Sequence, residues 1–365
     1  MIKNQNFQNN EWYAKPGAES SIVLSTRVRL VRNLADFPFP SKYRNDDALR
    51  VKNLIFDGFL KSDDADSFQT MGVASFDYIS SQVLIERSLI EKSTLQSPGG
   101  GIIMRIKGQE AYSGFVCTIN DKDHLRISCF SSGFNLEFPF SVCKKTDLLL
   151  QESLQFAWTK ECGYLASSIN DIGSGMKLSA RLVLPSTVFL GKMDELKSEI
   201  NTKKYSLVPA FPESVSRNIF QFSSTFCAED SEIEQLASFE GCVRILIEQE
   251  KKNTIIVKEK YLTKAKDFIL KYFGTVKFSL LLDFDISLAV ISALKWGKNL
   301  GIITGISDED IASLIFRLQE FHLRMSIKNQ NFVFPEDIKD DEKEKAAFIR
   351  SIILQETVEK ISFTI

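Results

Sequence analysis

Between Leu24 and Leu34 the chain reads Leu24-Ser25-Thr26-Arg27-Val28-Arg29-Leu30-Val31-Arg32-Asn33-Leu34, and Phe37-Pro38-Phe39-Pro40 closes the stretch. Apolar and polar residues alternate from Leu24 to Leu30, as they do in a strand with one buried face. Side chains two apart on a strand leave by the same face, so Arg27 and Arg29 project together. Two fixed guanidiniums on one face make a receptor for a planar anion, phosphate foremost. Alone, such a pair is more often the solvated basic edge of a half-buried strand. It does not stand alone.

The 365 residues suffice for one large domain and a smaller one. The chain is 44% hydrophobic and 25% charged, the balance of a globular protein. A net charge of −2 argues against a general nucleic-acid binder, although local basic clusters could hold one nucleotide. Cys117, Cys129, Cys143, Cys162, Cys227 and Cys242 form no C-x-x-C pair, which speaks against a zinc ribbon or a thioredoxin motif and fits reduced thiols. With only His124 and His322, a histidine-rich metal site has little scope, and no metal ligand is expected from the protein. Met1 to Asn10 is polar, without the apolar stretch of a secretory leader, and no apolar run approaches the roughly 18 residues of a membrane span. A cytoplasmic protein that binds neither membrane nor nucleic acid is expected.

Short alternating stretches predict strands at Ile22–Leu30, Gly101–Lys107, Gly114–Ile119, Leu125–Phe130 and Leu178–Leu184. Helical spacing predicts helices at Asp46–Leu60, Thr146–Ala157 and Lys192–Ile200. A long helix over Glu229–Lys252 follows, then a short linker at Thr254–Lys258, then amphipathic helices at Tyr261–Phe273, Ile286–Asn299 and Asp308–Met325. This pattern predicts an α+β domain with a mostly antiparallel sheet over residues 20–253 and a small all-α domain over 258–330. Residues 331–365 read as a charged C-terminal helix or tail, with the mixed-charge run Glu336–Lys345 as a solvated helix face. Ser97-Pro98-Gly99-Gly100-Gly101 reads as a flexible connection, because no Lys-Ser or helix start follows. The hexapeptide Ile2–Phe7 recurs at Ile327–Phe332, and one short repeat does not make a repeat architecture.

Two further stretches complete a constellation. Ile119-Asn120-Asp121-Lys122-Asp123-His124-Leu125-Arg126-Ile127 is the first. The second runs from Gly163 through Ser167-Ser168-Ile169-Asn170-Asp171-Ile172-Gly173-Ser174-Gly175-Met176-Lys177 to Leu184-Pro185. In order and separation the three stretches resemble the ATP:guanido phosphotransferases, whose patterns are S-[ST]-R-[VI]-R-x-x-R, N-E-E-D-H-L-R and C-P-[ST]-N-x-G-[TS]-G-x-R. Leu84–Lys92, Asn218–Ser223 with Ser231-Glu232, Trp296–Ile303 and Phe321-His322-Leu323 are similar to stretches of the bacterial protein-arginine kinase (McsB) branch.

The resemblance implies a guanido kinase catalytic domain of glutamine synthetase-like fold: an antiparallel sheet flanked by helices. It implies transfer of the ATP γ-phosphoryl group to arginine side chains of proteins, with Mg²⁺ carried by the nucleotide. Arg27, Arg29 and Arg126 match phosphate-binding arginines, Lys177 stands where a fourth is expected, and His124 matches a histidine beside the adenine. A fifth arginine is missing from Val208–Glu213, where Glu213 matches the motif's glutamate. The branch also implies an McsA-like activator, a Clp protease that receives marked proteins, and a homodimer.

Several letters differ. Lys122 stands in the place of the family's catalytic glutamate, and Asp121 in the place of the glutamate before it. A lysine and an incoming guanidinium about 4 Å apart repel by roughly 4 kcal/mol at an effective dielectric of 20. The repulsion weakens if Lys122 swings into solvent, and Asp121 or Asp123 could then act as the base. Ser168 replaces the pocket cysteine, Asp171 replaces an asparagine, and Cys162 is out of register and reads as a small core residue. The R-D-x-x-R-A motif associated with phosphoarginine binding has no arginine in Asp341–Ala346. Two functional expectations follow: a protein-arginine kinase with Asp121, Asp123, Ser168 and Asp171 at the reacting centre, or a catalytically impaired pseudokinase that keeps nucleotide binding and serves as a scaffold.

Overall fold

The computed structural model describes residues 11–106, 114–200, 203–212, 214, 217–227 and 231–364. Glu213 and the first copy of the hexapeptide lie outside the described residues.

Eight strands form one sheet. They are β1 (Val23–Arg32), β2 (Phe68–Gly72), β3 (Gly101–Arg105), β4 (Phe115–Ile119), β5 (Leu125–Ser132), β8 (Met176–Val183), β9 (Tyr205–Pro209) and β10 (Ile219–Ser224), while β6 (Trp158–Thr159) and β7 (Gly163–Tyr164) make a separate small ribbon. The spatial order is β2-β3-β4-β5-β1-β8-β10-β9, and every pairing is antiparallel. The arginine strand β1 is therefore central, between β5 and β8. The sequence expectation misses β2, β9 and β10, which lie at the sheet's two flanks.

One face of the sheet is apolar. Val28, Leu30, Ile127, Cys129, Leu178, Ala180 and Phe222 point into a core closed by α1 (Asn45–Leu60), α4 (Glu137–Gln151) and α7 (Glu232–Lys260). Each fully buried Leu, Ile or Phe there contributes about 1.5–3 kcal/mol relative to exposure. α4 starts and stops earlier than its expected span Thr146–Ala157. Val142, Cys143, Thr146 and Leu150 carry its buried stripe, and the chain then leaves the helix so that Phe156 can bridge Leu34.

Small helices connect the strands: α2 (Tyr78–Glu86) and α3 (Lys92–Gln96) before β3, α5 (Pro185–Phe189) and α6 (Met193–Ser198) after β8. The Ser97–Gly101 turn packs tightly and is not a loose connection. Gly100 N donates to Ser97 O at 3.0 Å, and Asn120 Nδ2 donates to Gly99 O at 3.0 Å.

α7 begins at a capping box, with Ser231 and Glu234 reciprocally bonded, and runs unbroken through Thr254–Lys258. The expected linker there is helix, because Val257 is buried and no Gly or Pro stands between Cys242 and Lys260. α8 (Leu262–Phe278), α9 (Phe284–Leu300), α10 (Asp308–Arg317), α11 (Glu320–Asn329) and α12 (Glu342–Glu359) follow, and β11 (Ile303–Thr304) pairs with β12 (Ser362–Phe363). The expected single helix Asp308–Met325 is two helices. The Glu86 carboxylate accepts the backbone N–H groups of Phe321 and His322 at 2.8 and 3.0 Å and so starts α11 afresh.

The second face of the sheet is mixed. Ile102, Val116 and Phe130 on that face join Trp12, Leu84, Leu89 and Ile90 in a cluster that continues into α8, α9 and α10. Between the apolar residues lies a row of polar ones. Among the described residues no helix is long and apolar enough to cross a membrane.

Candidate active site

Strand register assembles the row. Arg27 faces Phe130 on β5 and Ser179 on β8, and Arg29 faces Ser128 and Lys177. Arg126, two residues before Ser128, shares this face, as does Arg181, two residues beyond Ser179. Five cations from three adjacent strands thus stand on one side of a sheet whose other side is core. A cavity of about 250 Å³ opens at one end of the row, lined by Ser25, Arg27, Phe130, Ser179, Arg181 and Gln221, with Trp12, Arg87, Ser88 and Phe316 around it.

Arg27 and Arg181 have no carboxylate partner among the described residues. Each instead lies over a ring, Arg27 over Phe130 at 5.4 Å and Arg181 over Phe211 at 5.5 Å. Burial, and then the charge of Arg29, lower the Arg27 guanidinium to about 9; burial lowers Arg181 to about 10. Half-buried cations without counter-ions are costly, and a bound anion relieves that cost. The Nε atoms of Arg29, Arg126 and Arg181 are also buried without an acceptor among the described residues.

Arg126 links this row to the carboxylates. Its Nη1 donates to Asp121 Oδ2 at 3.1 Å and Glu91 Oε1 at 3.4 Å, and its Nη2 donates to Asp123 Oδ2 at 3.4 Å. Asp121 is 8% exposed; Thr94 Oγ1 also donates to its Oδ2, while Oδ1 has no partner among the described residues.

Asp123 is fully buried. Its Oδ1 accepts from Asn33 Nδ2 at 2.9 Å and from Ser167 N at 2.8 Å. With both oxygens holding donors, Asp123 ties β1, β5 and the 163–175 loop together. His124 is fully buried, Leu34 N donates to its Nδ1 at 3.0 Å, and its Nε2 meets Pro38 O at 2.9 Å. Tyr43 stacks on the ring, so His124 anchors the 34–43 segment.

Lys122 sits at the tip of a tight turn in which Asn120 takes φ 54° and Asp121 N bonds Asp123 O. The turn sends the lysine outward: its side chain is 64% exposed, with Nζ 3.8 Å from Glu91 Oε2. The repulsion expected from a lysine inside the pocket is thereby relieved.

The 163–175 loop brings Ser168 and Asp171. Asp171 N donates to Ser168 O at 2.9 Å, and Asp171 is buried with Oδ1 2.5 Å from Lys177 Nζ. Two departures from the family pattern, asparagine to Asp171 and arginine to Lys177, therefore meet as an ion pair. Arg32 secures the loop from beneath. It is fully buried, donates to both oxygens of Asp147 at 2.7 and 3.0 Å and to Ser174 O at 3.1 Å, and lies over the Tyr164 ring at 3.5 Å. Cys162, expected in the core, is exposed at the turn before β7.

Sequence reasoning passed over Arg181 and Glu91. The even spacing of Lys177, Ser179 and Arg181 signals a shared strand face, whereas nothing in the local sequence places Glu91 beside Arg126.

Residues 50–253 match the family described as ATP:guanido phosphotransferase, C-terminal catalytic domain. A protein-arginine kinase of Syntrophomonas wolfei is 29% identical over 314 residues, covering 84% of this chain and 86% of that protein. A protein-arginine kinase of Bacillus subtilis is 25% identical over 314 residues, covering 85% of each chain. Among solved structures, a lombricine kinase superposes with a TM-score of 0.54 at 16% identity over 63% of this chain and 66% of its own. The duplicated taurocyamine kinase of Schistosoma mansoni with bound transition state analog components superposes with a TM-score of 0.57 at 18% identity, over 68% of this chain and 37% of its own. These structures share the fold.

Proposed function

Because this chain belongs to the ATP:guanido phosphotransferase family, we propose that it transfers the γ-phosphoryl group of ATP to the guanidinium of arginine side chains in proteins. The observation that carries this reading is the cationic row: Arg27, Arg29, Arg126, Lys177 and Arg181 on one sheet face, with Arg27 and Arg181 lacking carboxylate partners among the described residues. A triphosphate laid along it supplies the missing counter-charge, and positioning with charge stabilisation is most of what phosphoryl transfer asks of a protein. The cavity beside Arg27 joins aromatic walls to Ser25, Ser179 and Gln221, which suits a nucleoside attached to those phosphates.

Mg²⁺ bound to the triphosphate supplies charge neutralisation across its oxygens. The free Oδ1 of Asp121 fits a place beside that ion or beside the acceptor. Ser168, on the loop that also presents Asp171, is the hydroxyl available to an acceptor guanidinium. The protein-arginine kinases similar to this chain support protein substrates. An McsA-like activator, delivery of marked proteins to a Clp protease, a homodimer and a cytoplasmic location belong to the same proposal.

The competing reading is a scaffold that holds nucleotide without transfer, favoured by the exposed lysine at position 122 and the hydroxyl at position 168. Incubation with Mg²⁺, γ-labelled ATP and an arginine-rich protein, with mass spectrometry of the acceptor, separates the two. Phosphoarginine is expected; nucleotide binding without it would leave the scaffold.

A further inference from the structure

Lys122 leaves the family's carboxylate position empty of negative charge, yet a carboxylate reaches the same group of cations from another element. Glu91 immediately precedes α3, and its carbonyl accepts from Thr94 N at 3.1 Å. Its Oε1 lies 3.4 Å from Arg126 Nη1 and 3.6 Å from Arg29 Nη1, and its Oε2 lies 3.8 Å from Lys122 Nζ. All three separations exceed the roughly 2.7–2.9 Å of a committed charge-assisted hydrogen bond. The side chain is 49% exposed. Glu91 is thus held near three cations, bound tightly to none, and open to solvent.

Asp121 meets the same Arg126 Nη1 at 3.1 Å, and its buried Oδ1 has no donor among the described residues. Thr94, three residues after Glu91, fixes the other oxygen of Asp121 at 3.2 Å. The short helix α3 therefore presents one carboxylate and orients a second about a single guanidinium nitrogen. A guanidinium acceptor needs such a pair: one group to orient it, one to take its proton.

We infer that Glu91 is the carboxylate that receives the acceptor guanidinium in this protein, with Asp121 as its partner, an assignment that rests on the phosphotransferase reading above. The acceptor's terminal nitrogen attacks the γ-phosphorus of ATP. The N–P bond forms, and the bond from that phosphorus to the β,γ-bridging oxygen breaks. ADP leaves with the electron pair, and the proton lost by the nitrogen passes to Glu91 and from its exposed side to water.

The test compares wild type, Glu91→Gln, Glu91→Asp and Glu91→Gln/Lys122→Glu. Readouts are kcat on an arginine-rich protein with Mg²⁺ and ATP, affinity for a fluorescent ATP analogue, and calorimetric binding of an arginine peptide. Glu91→Gln is expected to lower kcat at least about 100-fold, with nucleotide affinity held within about threefold, less than 1 kcal/mol. Glu91→Asp should fall between the two, and Lys122→Glu in the Glu91→Gln background should return part of the activity by restoring a carboxylate. An active wild type whose Glu91→Gln variant keeps its kcat overturns the assignment alone. A wild type that binds nucleotide but neither phosphorylates the protein nor binds the peptide overturns the phosphotransferase reading and the assignment together.

Discussion

Arg27 and Arg181 are the residues whose surroundings ask most plainly for a ligand, since each is half-buried at the cavity and faces a ring and, among the described residues, no carboxylate. Charge-assisted hydrogen bonds are worth about 1.5–3 kcal/mol each. Arg27→Ala and Arg181→Ala should therefore each weaken ATP binding by about tenfold or more, as read by titration with a fluorescent analogue, with no loss of thermal stability. At this scale the sequence is readable where the rule is local. Arg27, Arg29, Arg126 and Lys177 meet because strand alternation is a period of two and register does the rest. Asp123 and His124 are not readable in that way. Their partners Asn33, Pro38 and Ser167 lie far away in sequence, and only the assembled fold shows that their polar atoms are already occupied.

At the scale of elements, the 163–175 loop depends on one backbone conformation. Gly175 takes φ +66°, and a Cβ there would fall 2.7 Å from Val31 O and 2.7 Å from Arg32 Nη1. The carbonyl belongs to β1 and cannot yield, so Gly175→Ala must displace the loop that carries Ser168 and Asp171. The expected outcome is a loss of more than about 1 kcal/mol in denaturant unfolding, with impaired phosphorylation and ATP binding largely kept. The elements themselves were legible in proportion to their patterning. Central strands alternate and announce themselves, while β2, β9 and β10 are five or six residues long at the flanks, with irregular burial. The break between α10 and α11 carries no Gly or Pro; the Glu86 carboxylate, more than two hundred residues earlier, sets it.

Across the whole molecule, Glu250 ties the sheet to the helical segment. From the middle of α7 it accepts from Ser186 N, Thr187 N and Thr187 Oγ1 at 2.8, 3.0 and 2.6 Å, while Trp296 Nε1 of α9 donates to Ser186 Oγ at 2.9 Å. Burial, only partly opposed by those hydrogen bonds, raises the Glu250 carboxyl from its usual 4.5 to about 7. The folded chain then holds this proton more tightly than the unfolded chain. Its contribution is fully present below pH 4.5 and is lost as pH rises to about 7. The size is about 3 kcal/mol at about 1.4 kcal/mol per pKa unit. Urea unfolding of Glu250→Gln should lack that decline between pH 5 and 7 relative to wild type; an unchanged pH profile would remove Glu250 from this role.

The central claim is that the cationic face and its carboxylates move phosphorus onto nitrogen. ³¹P NMR of the purified chain with Mg²⁺, ATP and an arginine-rich protein follows that movement directly. The account predicts that the γ-phosphorus signal of ATP declines as an N-phosphoryl signal and ADP rise together. ATP that stays intact, or that yields only ADP and inorganic phosphate, would contradict it.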